Sequence, residues 1–518
     1  MNQFLNQIFA RTDRMIALTT ITAFLFAILF FRPWVWDATS YHLPFAAREL
    51  GIQNYLGISN LYDGRYKGFP VLWRYALGPG LILNSPRLYI LPNIAAALSV
   101  GYCLHRLLNI SKLMAIAATL CFPITYLGFA SAYQDYFTNA FILMGGLLAA
   151  RGIFSLIFVK HDQGIVTLWG GFACLAVAAN TKIQGIILSV TILTVTVIYA
   201  ILLKIVRLRQ IDEQVQQQER RENWTTNKIL LFLSSSGNKQ RILKLGISLA
   251  LLSLIFYQPL SNLKHYNNPF YPVETLGFKG PETQYSTPLE YIPPIPIMSN
   301  FLSHYLSILE IDPYILPRTL PDGRKFLPPR LRSLDMYSMR IQRTGGSIGI
   351  IYAGMMALLL INAFRIIKSK RIHTFNESLA VFLPLTSIFI SFLPQSLDLR
   401  YYLVGLFIAS IGSLALSTNQ KLLDIAKGLI LIGLLISLPH LVIRARKILT
   451  PDRFLNLQSE LPTTEQCIQL GELSVNREGR KVLRLNPQTV PDNVPFQCRL
   501  VMPESIYIDY CEEPCTRD

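Results

Sequence analysis

Apolar runs of about twenty residues recur along this chain, and twenty residues is what a helix needs to cross the hydrocarbon core of a bilayer. A water-free interior lets a backbone satisfy its own N–H and C=O groups only as helices or closed barrels. About eleven such segments, near 15–31, 87–107, 112–130, 137–158, 164–180, 183–205, 245–260, 345–364, 377–394, 401–417 and 427–443, therefore predict an all-α polytopic membrane protein. Composition agrees: of 518 residues, 51% are hydrophobic and 15% charged, with a mean hydropathy of +0.36. The net charge of +17 fits Lys and Arg flanking membrane segments. No basic run carries a nucleic-acid motif, so nucleic acid is not an expected partner.

An odd number of crossings puts the termini on opposite sides. Arg11 and Arg14 precede the first apolar run and no small-residue cleavage site follows, which predicts a retained anchor with its N-terminus in the cytoplasm. The basic linkers at Arg106–Lys112, Lys204–Lys244 and Arg365–Arg371 then lie inside. Residues 32–86, 131–136 and 261–344 lie outside, where chemistry on an extracytoplasmic substrate is to be sought. The polar run Gln210–Glu222 is rich in helix formers but has no apolar stripe, and predicts a solvated helix or disorder. Residues 444–518 turn polar, and alternate at Lys481–Leu485 and Ser505–Tyr510 like strands. This region carries Cys467, Cys498, Cys511 and Cys515, which read as two disulfides of a small extracytoplasmic domain; a metal site is the competing reading.

Six polar stretches at predicted outer boundaries carry the chemically capable residues. Trp36-Asp37-Ala38-Thr39-Ser40-Tyr41-His42-Leu43-Pro44 places Asp37 where a carboxylate ionises easily, beside Tyr41 and His42, with a short helix expected from Pro44 to Leu50 and ended by Gly51. Anchoring of the interface by Trp34, Trp36 and Tyr41 explains the same residues without chemistry. Ser131–Tyr136, a polar turn, presents Tyr133 and Asp135; Asn180-Thr181-Lys182 places a cation between apolar segments, where it either snorkels or meets an anion such as a phosphate. Arg65 and Lys67 lie among aromatics in the first outer loop and suit a phosphate and sugar rings, or lipid headgroups. Asn268 opens the long loop in Asn267–Pro272, and Arg400 and Tyr401 sit at a late boundary; both read equally as turns and anchors.

Taken as an ordered set, Trp36-Asp37 with Tyr41-His42-Leu43-Pro44, Tyr133 with Asp135, Thr181-Lys182, Asn268-Pro269-Phe270-Tyr271-Pro272 and Arg400-Tyr401 resemble the membrane glycosyltransferases of the C-type fold, specifically bacterial relatives of the dolichyl-phosphate-mannose protein mannosyltransferases. The resemblance spans roughly residues 15 to 443, the expected transferase domain being 1–443. It implies a polyprenyl-phosphate-linked sugar as donor, transfer on the outer face of a bacterial plasma membrane, and Asp37 as the catalytic carboxylate. Several members have an adjacent Asp-Glu pair, whereas Ala38 follows Asp37 here, and Asp135 is the candidate for the second acidic role.

The expected reaction is inverting transfer of one sugar to a lipid, glycan or protein acceptor. Asp37 takes the acceptor proton, and a cation among Lys182, Arg65, Lys67 and Arg400 stabilises the departing phosphate. Tyr41, His42, Tyr133, Asn268 and Tyr401 are the remaining substrate-binding candidates. No compact ligand cluster marks a metal site; a divalent cation bridging carboxylate and phosphate is the one cofactor such chemistry admits. The alternatives are a polysaccharide ligase or polymerase using diphosphate-linked glycans, and a transporter without chemistry, which would place ionisable groups near the membrane midplane.

Overall fold

The computed structural model describes residues 2–29, 42–51, 68–83, 85–130, 132–159, 161–219, 238–271, 278, 301, 304–305, 349–369, 372–393, 399–446, 464–469, 471–475, 481–485 and 506–510. Helix follows the apolar pattern throughout. The bundle is formed by α1 (Asn2–Leu29), α5 (Leu91–Leu108), α6 (Lys112–Leu120), α7 (Pro123–Phe129), α8 (Asp135–Phe158), α9 (His161–Ala179), α10 (Ile183–Glu219), α11 (Asn238–Tyr266), α12 (Gly349–Lys368), α13 (Phe375–Ser391), α14 (Leu403–Ala415) and α15 (Gln420–Arg446). Three short helices, α2 (Leu43–Glu49), α3 (Leu72–Ala76) and α4 (Gly78–Ile82), lie between α1 and α5. Gly51, at φ +66°, follows α2 in the left-handed conformation that suits glycine after a helix.

Six helices among the described residues are long and apolar enough to cross a membrane, and α9, α13 and α14 contribute shorter apolar helices. Large outward apolar side chains such as Leu18, Tyr257, Ile350 and Phe364 are more than half exposed, as a lipid-facing surface requires. The protein is thus a helical membrane protein, but the expected count of about eleven spanning helices is not reached by length and composition. One reason is the segment near 112–130, which is two helices. Pro123 lacks an N–H and opens α7 afresh. The carbonyls released at the break are taken up by hydroxyls, that of Cys121 by Ser437 Oγ at 3.3 Å and that of Phe122 by Thr125 Oγ1 at 2.7 Å. The polar run after Gln210 continues α10 to Glu219 as helix.

All but the last residue of α14 are buried, as a helix apolar on every side requires. The closest helix pair is the α8–α9 hairpin. A Cβ on Gly152 would stand 2.8 Å from the carbonyl oxygen of Gly164 and the nitrogen of Leu168, and one on Gly171 would stand 2.7 Å from the nitrogen of Ala149. Gly145 meets Leu175 at 2.8 Å and the Gly171 carbonyl at 3.1 Å by the same measure. Backbone lies on backbone here because the side chains have been removed, the means by which helices associate in lipid.

Beyond the bundle, α16 (Thr464–Gln469) precedes three strands, β1 (Gly471–Val475), β2 (Lys481–Leu485) and β3 (Ile506–Tyr510). β2 pairs antiparallel with β1, Leu473 opposite Leu483, and parallel with β3, Leu483 opposite Ile508. The two alternating stretches of the sequence are thus β2 and β3, while β1 has no comparable signature. Cys467 is buried and disulfide-bonded; Cys498, Cys511 and Cys515 lie outside the described residues. Cys103, Cys121 and Cys174 are free thiols in the bundle.

Two outcomes follow. Gly152→Leu should destabilise the protein by several kcal/mol, since the displaced atoms are backbone, read as a drop in the thermal unfolding midpoint in detergent, with Gly170→Leu, whose Cβ would meet only Leu148 at 3.8 Å, as the mild control. Mass-tagging of thiols in unfolded but unreduced protein should leave Cys467 unmodified, and modify it after reduction; modification before reduction would exclude the disulfide.

Candidate functional site

Four interruptions of helix meet at one end of the bundle. Asp135 opens α8, and Lys182 is the residue before α10. The Lys182 ammonium forms a salt bridge with the Asp135 carboxylate, both residues being more than nine-tenths buried. The same ammonium lies 4.1 Å from the centroid of the Tyr401 ring, within range of a cation–π attraction that grows as water is removed. Tyr401 belongs to the 3-10 turn Leu399–Tyr402 that leads into α14.

Asn139, one turn along α8, sets this geometry. Its Nδ2 donates to the Asp135 carbonyl at 2.8 Å and the Tyr401 carbonyl at 3.2 Å, and its Oδ1 accepts from the Val404 N–H at 3.0 Å. The turn before α8 is fixed from α5: Asn93 Nδ2 lies 3.1 Å from the Phe129 carbonyl, 3.3 Å from that of Gly128 and 3.4 Å from that of Tyr133. Around Lys182, the Asn180 carbonyl accepts from the Leu72 N–H at 2.9 Å, and Asn180 Nδ2 donates to the Leu254 carbonyl at 2.8 Å. The break between α9 and α10 is thereby joined to α3 and α11.

Beside the ion pair is a small pocket. His42 and Phe45 form one wall, Phe69, Pro70, Trp73 and Arg74 another, and Gln134 and Thr181 close it. Gln134 immediately precedes Asp135, and Thr181 immediately precedes Lys182. Arg74 is 4% exposed. It pairs with Glu49 at 2.8 Å, donates to the Phe69 carbonyl at 2.9 Å and stands 5.5 Å from the Phe45 ring centroid. Glu49 also accepts from the Tyr75 hydroxyl at 3.2 Å, and the nearby carboxylate charge raises the pKa of that phenol.

The structure therefore brings Asp135, Lys182 and Tyr401 into contact, puts Tyr133 two residues from Asp135, and lines the adjoining pocket with buried His42. Asn268 is completely buried and acts on its own turn: its Oδ1 accepts from the Phe270 N–H at 2.8 Å, and Tyr271 stacks on Tyr266 with ring centroids 3.8 Å apart. The Tyr271 carbonyl accepts from Asn262, which also donates to the Gly68 carbonyl at 3.0 Å; Asn268 thus supports the segment that carries Phe69. The backbone of Arg400 lies in the turn before α14. Asp37, Tyr41, Arg65 and Lys67 lie outside the described residues. Among the described residues no three His, Cys, Asp or Glu side chains form a metal-ligand group.

Two expectations change. The stretch 131–136 is not simply a polar outer turn, because Gln134 and Asp135 are buried within the bundle end. Lys182 has no acidic neighbour in sequence, yet its counter-charge comes from Asp135. Arg74, Glu49, Trp73 and Asn139 were not singled out from sequence. Arg74 had a signal: a cation within Val71-Leu72-Trp73-Arg74-Tyr75-Ala76 presents the same anomaly as Lys182 between its apolar segments. Compared with protein-family models, curated proteins and solved structures, the chain matches none.

Breaking a buried pair by removing one partner costs about 3–5 kcal/mol, because the survivor is left uncompensated. Asp135→Asn and Lys182→Met should each lower the unfolding midpoint, and the double variant should be less damaged than the two losses combined. Strictly additive losses in thermal unfolding would mean that the two side chains act independently.

Proposed function

We propose that the protein is a membrane glycosyltransferase that moves one sugar from a polyprenyl-phosphate carrier to an acceptor hydroxyl on the extracytoplasmic face. The observation that carries this reading is the convergence of sequence stretches from 42 to 401 on one bundle end, around the buried Asp135–Lys182 pair and its pocket. The pair lies where helices begin, at Asp135 of α8 and just before Ile183 of α10. This favours chemistry at a membrane boundary over transport through charged groups at the midplane.

In the reaction, the acceptor oxygen attacks the anomeric carbon and the bond from that carbon to the phosphate oxygen breaks. The polyprenyl phosphate leaves with the bonding electrons, and the acceptor proton passes to Asp37, so a single displacement inverts the anomeric configuration. Lys182 faces the phosphate and stabilises the charge that grows on it. Asp135 holds the ammonium in place and Tyr401 shields it from lipid. Fixed charges in an apolar surrounding act more strongly on a developing charge than the same groups in water. The two carboxylates thus divide their work, Asp37 on the proton and Asp135 on the cation.

Purified protein in lipid vesicles, supplied with polyprenyl-phosphate glucose, mannose or arabinose and membrane extract as acceptor source, should release free carrier phosphate. Asp37→Asn keeps the size of the side chain but removes the proton acceptor, and should slow release by about 10²–10⁴-fold at saturating donor while donor binding persists. Near-parental turnover in that variant would remove Asp37 from the mechanism. Absence of carrier release with every donor, or release of a diphosphate carrier instead, would overturn the transfer reading.

A further inference from the structure

Trp73 is 1% exposed and lines the pocket beside the ion pair. Its indole Nε1 is buried and has no hydrogen-bond acceptor among the described residues. A buried donor left unmade costs about 1–3 kcal/mol, so the position demands an acceptor atom. The pocket has space for roughly one water molecule or one hydroxyl. Its shape is fixed rather than open: Arg74 is held by Glu49 and the Phe69 carbonyl, the Phe45 and Phe69 rings lie 6.3 Å apart, and Trp73 packs on Phe137 at 5.6 Å. The opposite wall, Gln134 and Thr181, is one residue away from Asp135 on one strand of chain and from Lys182 on the other.

A phosphate at Lys182 would bring the group bonded to it next to this pocket. We propose that Trp73 reads the transferred sugar, its indole N–H donating to one sugar hydroxyl seated in the pocket. This rests on the sugar-transfer reading and adds to it a specificity determinant: a site built to hydrogen-bond a hydroxyl rejects analogues that lack it, because the donor then stays buried and unpaired. The aromatic walls suit the apolar faces of a sugar ring, and leave the indole as the element that selects the hydroxyl.

The test uses full-length protein with ¹⁵N-labelled tryptophan in nanodiscs, the Trp73 indole resonance being assigned by its loss in Trp73→Phe. Adding polyprenyl-phosphate glucose, mannose or arabinose should move that resonance for the sugar whose carrier is released. Bare polyprenyl phosphate should leave it in place. Trp169, whose Nε1 donates to Ser248 Oγ at 2.9 Å, should remain unmoved throughout. Trp73→Phe, which keeps an aromatic ring against Phe137, should raise KM for the preferred donor by about tenfold and narrow its preference over the other sugars. An equal shift with the bare carrier would make the phosphate the acceptor and overturn the proposal. Carrier release without any shift would assign the pocket to a water molecule, overturning the proposal while transfer itself stands. No release from any donor would overturn the transfer reading, and this proposal with it.

Discussion

A charge held in an apolar surrounding must have a partner, and the Asp135–Lys182 pair is where this chain meets that requirement most acutely. Neither side chain reaches far into water, so each fixes the other's backbone. Three changes of chain direction have to coincide for the pair to exist: the turn into α8, the break between α9 and α10, and the turn that sets Tyr401 above the ammonium. Irregular backbone at the edge of a membrane survives only if protein groups take up its freed carbonyls and amides. Asn93, Asn139 and Asn180 do this here, each spanning two or more carbonyls. Amide side chains suit the task because one group both donates and accepts without adding charge.

Arg74 and Glu49 apply the same rule a few residues away. With both cations matched by carboxylates, the bundle end presents oriented, immobile polar groups rather than an excess of charge. Such an arrangement needs little reorganisation when a phosphate-bearing ligand arrives. It also changes the meaning of an acidic residue near a reaction: a carboxylate engaged with an ammonium orients that ammonium, which leaves proton abstraction to a residue such as Asp37 with a different environment.

Much of the helical pattern was legible because it is local. Every apolar segment read from the sequence is occupied by helix, and the alternation at 481–485 and 506–510 is strand. The failures were where local pattern and tertiary context part. Pro123 splits a hydrophobic run whose average hydropathy looks continuous, and β1, Gly-Glu-Leu-Ser-Val, shows too few apolar positions to reveal its pairing with β2. At the site, Asp135, Lys182 and Tyr401 could each be singled out as polar at a boundary. Their contact could not, because it joins residues far apart in sequence, and each alone reads as a solvated turn or a snorkelling side chain. Arg74 escaped although its anomaly resembled that of Lys182; its carboxylate, Glu49, lies on a separate short helix.

One long-range contact was nonetheless written into the sequence. Gly145 and Gly152 on α8 are seven residues apart, as are Gly164 and Gly171 on α9. Where two antiparallel helices touch through glycine, the touching pairs fix the axial register, because only there do the backbones fit so closely. Gly171 meets Gly145 and Gly164 meets Gly152. Moving outward from the first of these contacts, Asp135 lies ten residues before Gly145 and Thr181 ten residues after Gly171. The register that lets the glycines interlock therefore carries Asp135 to the level of Thr181, beside Lys182. The ion pair and the pocket walls formed by Gln134 and Thr181 are in this sense an outcome of packing further along the hairpin. Side-chain size at Gly152 reaches the candidate site through rigid helix, with no contact to it.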